Sequence, residues 1–144
     1  MTIKELFDYT KHIVEGIPIV TSFYSGDNIY DIWNATDVKY GSFVISIKSV
    51  TVSNTIKYNC VVYYGDRLME NRSNRDSIHN DAVTIINNFV NILNNSDDVV
   101  GISYPIECQL FEQKFTDDLA GAWCNLTIET VDKSTCWYQL VGNK

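Results

Sequence analysis

Two stretches near the middle of the chain alternate apolar and polar residues with a period of two, and a short polar break separates them. In the first stretch Phe43, Ile45 and Ile47 share one phase, and the phase changes near Ser49, which predicts a β-bulge. After residues 53 and 54 a second stretch has its apolar positions at Ile56, Tyr58, Cys60, Val62 and Tyr64. Together they predict an antiparallel hairpin with about ten residues in each strand.

The last third of the chain repeats this pattern. A first run alternates from Ile106 to Leu110 and ends at Phe115, and a second has its apolar positions at Ala122, Cys124, Leu126 and Ile128. The polar break between them, residues 117–121, predicts the turn of a second long hairpin. Two interpretations of its acids are open: a general acid and base or cation site, and the favoured one, in which acids simply suit turn geometry.

In two segments the apolar residues recur with the period of an α-helix. Thr2 and Glu5 form a capping box and Gly16 precedes Pro18, so a helix is predicted over residues 3–15. Its apolar stripe is Ile3, Leu6, Phe7, Ile13 and Val14. A central helix is predicted with Asp76 or Ser77 as its N-cap and with its end at residues 94 and 95. Its stripe is Ile78, Ala82, Ile85, Ile86, Phe89 and Leu93.

Three shorter segments complete the pattern. Residues 17–24 predict a short strand, and residues 28–41 fit either a short strand or an aromatic-rich loop. Residues 136–141 fit a short edge strand or a tail that docks on a neighbour. The predicted fold class is therefore α+β, with two long hairpins in an antiparallel sheet and an N-terminal and a central helix packed on it. Residues 1–144 are predicted to form one domain.

Composition and charge narrow the classes of function. With 45% hydrophobic residues the chain can bury a core, and it has no apolar run of signal-peptide or membrane-span length. A soluble protein that is not exported by a signal peptide is expected, with no membrane partner. The net charge of −7 predicts that the surface repels phosphate backbones, so binding of nucleic acid driven by charge is not expected.

The residues that usually carry chemistry are few and scattered. Cys60, Cys108, Cys124 and Cys136 stand singly, which predicts reduced thiols and no structural zinc site. The two histidines are predicted to be solvated helix residues without a second metal ligand nearby. The common nucleotide, hydrolase and metalloprotease motifs do not occur. No catalytic residue, cofactor or metal is predicted, and a thiol-dependent enzyme using Cys60 with His79 is the least favoured hypothesis.

Charge is unevenly distributed along the chain. Between Asp76 and Asp132 there are many acids and one base, Lys114. This half is either a solubilising surface or a wall along which DNA passes without binding. The connector over residues 66–76 is either a solvated loop or a contact surface, because arginine and methionine are frequent in protein interfaces. Together with an exposed tryptophan, the residues predicted for a subunit interface are Arg67, Met69, Arg72, Arg75 and Trp123.

The order of elements resembles that of tail-terminator, tail-completion and neck-ring proteins of tailed bacteriophages. Within that group, four local segments are similar to small virion proteins of Bacteroidota phages, including crAss-like phages. These segments are residues 64–68 (YGDRL), 73–75 (SNR), 81–82 (DA) and 115–121 (FTDDLAG). The layout covers most of the chain, and each motif is short.

The resemblance implies a non-catalytic virion protein that forms a homo-oligomeric ring in the neck or tail, joins head to tail and extends the portal channel. Its partners would be further copies of itself and the adjacent portal, neck or tail ring proteins, after assembly in the host cytoplasm. Twelve subunits are favoured over six. Genomic DNA would pass through without specific binding. Because of their position on the second predicted hairpin, Glu112, Asp117 and Asp118 are predicted to be the acids that face the lumen. The alternative is a small non-catalytic α+β binding or assembly-chaperone module.

Overall fold

The computed structural model describes residues 1–26, 28–35, 39–115 and 117–131. This part of the chain forms an α+β fold in which a mixed six-stranded sheet is combined with three helices. Its elements are α1 (Ile3–Glu15), β1 (Ser22–Ser25), α2 (Ile29–Trp33), β2 (Ser42–Val52), β3 (Ile56–Arg67), α3 (Arg75–Asn94), β4 (Val99–Ile102), β5 (Gln109–Lys114) and β6 (Asp118–Thr130). The predicted segment 136–141 lies outside the described residues.

The strands are ordered β1-β2-β3-β6-β4, and β5 also pairs with β6. Since β3 occupies one edge of β6, β4 and β5 lie one after the other along its remaining edge. All these pairs are antiparallel except β1 with β2, which is parallel. The prediction of a purely antiparallel sheet is therefore wrong. The connection from Ser25 to Ser42 contains α2, and such a crossover lets two successive strands run in the same direction.

The first predicted hairpin is confirmed. β2 and β3 pair antiparallel from Ser42 opposite Gly65 to Val52 opposite Ile56, and the register shifts between Ile47 and Ser49, at the predicted bulge. The second hairpin is present, but its turn is tighter than predicted. Lys114 pairs with Asp118, so residues 118–121 belong to β6 instead of the turn. The short strand β4 was not predicted.

The N-terminal helix is confirmed with its predicted ends and capping box. The backbone N–H of Glu5 donates to Thr2 Oγ1 at 3.1 Å, and that of Thr2 donates to Glu5 Oε1 at 3.3 Å. Its buried stripe begins at Leu6, because Ile3 is 46% exposed. The central helix begins at Arg75 with Asn74 as its N-cap, so the predicted caps at Asp76 and Ser77 are wrong.

Residues 29–33 form the short helix α2, which neither of the two predicted alternatives included. Asn28 caps it, since its Oδ1 accepts a hydrogen bond from the backbone N–H of Tyr30 at 2.9 Å. This helix brings Trp33 to the sheet, where the side chain is fully buried.

The sheet is covered on both faces. On one face α1 and α3 pack over a large core that includes Phe43, Val62, Leu126 and Phe89. On the other face Trp33 anchors a smaller cluster. None of the helices in the described ranges is long and apolar enough to cross a membrane.

Candidate functional site: a charged connector and an apolar groove

The connector between β3 and α3 contacts the β5–β6 hairpin through ion pairs. Arg67 Nη2 lies 3.3 Å from Asp117 Oδ2, and Arg72 Nη1 lies 3.2 Å from Glu112 Oε2. Arg75 Nε lies 3.2 Å from Glu112 Oε1 and 3.2 Å from Asp76 Oδ1. We call Arg67, Arg72, Arg75, Glu112 and Asp117 the arginine–carboxylate cluster. Glu112 is its centre, because both of its carboxylate oxygens are paired.

Hydrogen bonds within the connector hold these arginines in place. Asn74 Oδ1 accepts from the backbone N–H of Met69 at 2.8 Å, and Asn74 Nδ2 donates to the carbonyl of Arg67 at 2.9 Å. The backbone of Arg72 has φ 57°, in the left-handed region, and its N–H donates to the carbonyl of Met69 at 2.8 Å. The connector is therefore an ordered turn that contacts the β5–β6 hairpin, and most of its residues remain exposed to solvent.

The hairpin that carries the acids is fixed by backbone contacts. The N–H of Phe115 donates to the carbonyl of Asp117 at 2.9 Å and closes the turn. The N–H of Leu68 donates to the carbonyl of Asp118 at 2.9 Å, which extends the β3–β6 ladder into the connector. The Arg67 guanidinium also lies 5.0 Å from the centre of the Tyr40 ring, within the range of a cation–π contact.

Two predicted sets of residues thus meet at one place. Arginines predicted for a subunit interface pair with two of the three acids predicted to face a lumen, Glu112 and Asp117. The third acid, Asp118, is exposed and shows no ion pair within the described residues. Met69 is 59% exposed beside them. The positive and negative charges of the cluster offset one another, so the acidity expected at this end of the protein is reduced.

Trp123 lies away from the arginines and is half-buried, so it is not the fully exposed anchor that its polar phase predicted. Its ring centre is 6.3 Å from that of Tyr63, which in turn packs edge-on against Trp33 at 5.9 Å. Trp123, Tyr63, Trp33 and Tyr30 are among the residues that line a cavity of about 220 Å³. This cavity is small for a drug-sized ligand.

A larger open space, which we call the apolar groove, lies between α3 and the segment joining β4 to β5. Its volume is about 760 Å³. Ile86 and Val90 of α3 form a buried floor, while Val83 and Tyr104 are 40% and 58% exposed at its borders. Among the residues that line the groove, Asn87 has the only side-chain amide and Thr84 the only aliphatic hydroxyl. The groove can accept an apolar chain or molecule, and it has no charged side chain to orient one.

The cysteines fit the prediction of small buried side chains. Cys60 and Cys124 are buried and Cys108 is half-buried, and all three are free thiols. Burial raises the pKa of Cys60 to about 12, and burial next to Cys108 raises that of Cys124 to about 12. These two thiols therefore stay protonated at neutral pH, the opposite of what a nucleophilic cysteine requires. Cys136 lies outside the described residues.

The histidines differ in one respect from the prediction. His12 is exposed on α1, as expected, but His79 is half-buried and its Nε2 lies 2.9 Å from the carbonyl oxygen of Phe111 on β5. His79 thus ties α3 to the edge strand. Among the described residues no group of three or more His, Cys, Asp or Glu side chains is placed to hold a metal ion.

Sequence patterns did not predict the apolar groove. Its signal is weak, because Val83 falls outside the buried stripe of α3 and Tyr104 precedes Pro105 in a segment without periodicity. A scan against models of known protein families finds no match, and a search of curated proteins finds no significantly similar sequence.

Proposed function

We propose that this protein is a structural subunit that assembles with further copies into a ring in the neck or tail of a tailed-bacteriophage virion. The ring would extend the portal channel, join head to tail and let DNA pass without specific binding. Its α+β fold would correspond to the tail-terminator type, with a β1 strand added in parallel. The proposal rests on the resemblance of element order and short motifs, and the following features support it.

The structural observation that best supports the proposal is a pair of open sheet edges. β1 pairs only with residues 42–45 of β2, so the other half of β2 has no strand on that side within the described residues. This half is exposed from Lys48 to Val52, and Val52 is 73% exposed. The opposite edge of the sheet is formed by β4 and β5. Exposed strand edges are usually covered, and contact between two different edges generates a ring when the rotation between subunits closes.

The arginine–carboxylate cluster supports a role for this end of the protein in packing. It fixes the connector against the β5–β6 hairpin and leaves Met69 exposed beside paired charges. Such a surface, rigid and nearly neutral, suits contact with a neighbouring subunit better than binding of an anion.

Electron microscopy of virions or assembly intermediates tests the proposal, with light scattering of the isolated protein alongside. A ring on the head–tail axis is the expected result, and it gives the number of subunits directly. A compact monomer that never occurs in particles would contradict it.

A pair of variants tests the open β2 edge. Val52→Lys places a charge on this edge and is expected to remove the ring from particles. Ile3→Lys makes the same change on α1 at a side chain that is 46% exposed, and it serves as the control. Equal incorporation of both variants would show that the β2 edge is not an interface.

A different substitution tests whether Glu112, Asp117 and Asp118 face the lumen of the ring. Asp118→Lys changes charge without breaking an ion pair seen in the structure, whereas Glu112→Lys breaks two. If these acids line a channel, virions carrying Asp118→Lys assemble normally and eject DNA more slowly. Unchanged ejection kinetics would place Asp118 away from the DNA path.

One observation favours the second candidate, a small binding or assembly-chaperone module. The apolar groove has the volume of a ligand or peptide site. This candidate predicts a monomer or dimer that never forms a ring and binds an apolar peptide in the groove.

A further inference from the structure

In the apolar groove, exposed apolar side chains lie at the borders of a floor whose side chains are buried. Ile86 and Val90 are 1% and 3% exposed, yet Val83 and Tyr104 at the borders remain 40% and 58% exposed. Exposed apolar patches in folded domains mark interaction sites or ligand-binding grooves, so an occupant of this groove is expected.

The sequence supplies a segment of matching chemistry. Thirteen residues follow Val131, and five of the six residues at positions 136–141 are apolar: Cys136, Trp137, Tyr138, Leu140 and Val141. Polar residues flank this run on both sides, at 132–135 and 142–144. Removing the Trp137 and Leu140 side chains from water would favour binding of this run to an apolar surface.

The point at which this segment begins is fixed at the start of β4. The N–H of Val131 donates to the carbonyl of Asp98 at 3.4 Å, and the Met1 ammonium donates to the Val131 carbonyl at 3.0 Å. Thr130 lies opposite Val99, the first residue of β4, and the groove begins at Tyr104.

The distance from this point to the groove matches the length of the polar spacer. Five residues of extended chain separate Val99 from Tyr104, a span of about 16 Å at the usual rise per residue. Five residues, the number in 132–136, can span this distance when extended, so the apolar run that starts at Cys136 is within reach of the groove.

We propose that the occupant of the apolar groove is the segment 136–141 of the same chain, with Trp137 and Leu140 as its main anchors. The segment covers the exposed borders at Val83 and Tyr104. This proposal is independent of ring assembly and concerns the isolated subunit.

Thiol labelling of the full-length chain tests it. All variants carry Cys136→Ser, and the reporter Thr84→Cys places a thiol at an exposed position that lines the groove. A matched reporter, Asn80→Cys, lies on the same helix outside the lining of the groove. The measured quantity is the rate of alkylation by iodoacetamide at each position, determined by peptide mass spectrometry.

With the native anchors, the thiol at position 84 is expected to react roughly ten times more slowly than the thiol at position 80. Trp137→Ser with Leu140→Ser is expected to remove most of this difference. Lys133→Ser with Asn143→Ser is the control that leaves the two anchors, Trp137 and Leu140, in place. If the rate at position 84 is the same with and without the two anchors, the proposal is wrong. Protection that grows with protein concentration would also overturn it, because the occupant would then come from a second copy.

Discussion

The two faces of the sheet are covered in different ways. On one face the long helices α1 and α3 pack over many aliphatic side chains. On the other face the five-residue helix α2 contributes one fully buried side chain, Trp33, which packs against Val44, Phe115 and Leu119, while Ile29 and Ile32 of the same helix are partly buried beside it. The larger core thus depends on the periodicity of two helices, whereas the smaller one is centred on one aromatic residue.

Glycine makes this second arrangement possible. A Cβ atom at Gly65 would lie 2.8 Å from the ring of Trp33, so only glycine lets the indole lie this close to β3. The indole Nε1 donates to Ser42 Oγ at 2.7 Å, which satisfies its polar atom in the core. The ring also packs edge-on against Phe115 at 5.2 Å. A small core can therefore hold one aromatic side chain in a defined position when a glycine in the neighbouring strand makes room for the ring.

The strongest test of this comparison removes the main aromatic side chain from each face. Trp33→Ala and Phe89→Ala are each expected to lower the free energy of unfolding by about 3–5 kcal/mol, because both side chains are fully buried. Urea denaturation followed by circular dichroism measures this quantity. Val52→Ala is the control, since that side chain is 73% exposed and its loss is expected to cost under about 0.5 kcal/mol. A loss below about 1 kcal/mol for Trp33→Ala would show that the α2 face is an accessory layer.

The next largest effect is expected where the two central strands approach each other. A Cβ atom at Gly121 would lie only 1.8 Å from the backbone oxygen of Tyr64, which cannot rotate away. Gly121→Ala is therefore expected to lower the free energy of unfolding by about 2–3 kcal/mol or more. At Gly101 nothing lies within 4 Å of the added Cβ, so Gly101→Ala is the matched control. Equal thermal midpoints for the two variants would contradict the role assigned to Gly121.

A smaller effect is expected from the charged connector. Glu112→Gln removes the carboxylate charge that Arg72 and Arg75 share, and it is expected to cost about 0.5–1 kcal/mol, since all three side chains are partly exposed to solvent. The cost should fall as salt is added, because salt screens exposed charges. Lys4→Gln on α1 breaks one exposed pair with Asp8 and is the control, expected to cost less. A cost for Glu112→Gln that does not change with salt would argue against an electrostatic origin.

The smallest predicted effect is a gain in stability. Burial raises the pKa of the half-buried Asp66 above its ordinary value of 3.8, although the hydrogen bond from the N–H of Arg67 opposes this. A raised pKa in the folded state means that ionised Asp66 destabilises the fold above that pKa. Asp66→Asn keeps the acceptor oxygen and is expected to stabilise the protein by about 0.5 kcal/mol at pH 7.

The pH dependence separates this effect from a change in packing. Below pH 3.8 the carboxyl of Asp66 is protonated in both the folded and the unfolded state, so the advantage of Asp66→Asn should disappear there. Unfolding curves at pH 7 and at acidic pH measure the difference. A gain that is the same at both pH values would contradict the assignment to ionisation.

Local patterns in the sequence predicted the elements that depend on local interactions. The capping box at Thr2 and Glu5 and the change of phase near Ser49 are examples, and both are confirmed. The parallel β1 strand was missed because its direction depends on the crossover through α2, which has no periodicity in five residues. The cap at Asn74 was missed because this side chain bonds the connector instead of the helix.

The candidate site likewise has a part that the sequence predicted and a part that it did not. Arg67, Arg72 and Arg75 were chosen from the sequence as contact residues, but their pairing with Glu112 and Asp117 depends on the register between β5 and β6. The apolar groove was not predicted, because it depends on where α3 lies relative to the segment after β4. No local sequence pattern encodes that position. Long-range packing therefore decides the part of the site that the sequence left open.

The central position of β6 has a consequence for biosynthesis. This strand pairs with β3, β4 and β5, yet it leaves the ribosome after every other element described here. Until then the β2–β3 hairpin has no partner along its inner edge, and pairing Ile56 with Thr130 requires closure of a long loop. Such non-local pairing slows folding and exposes strand edges to aggregation. The nascent chain therefore completes its sheet only after β6 has been synthesised, and chaperone binding before that point would protect it.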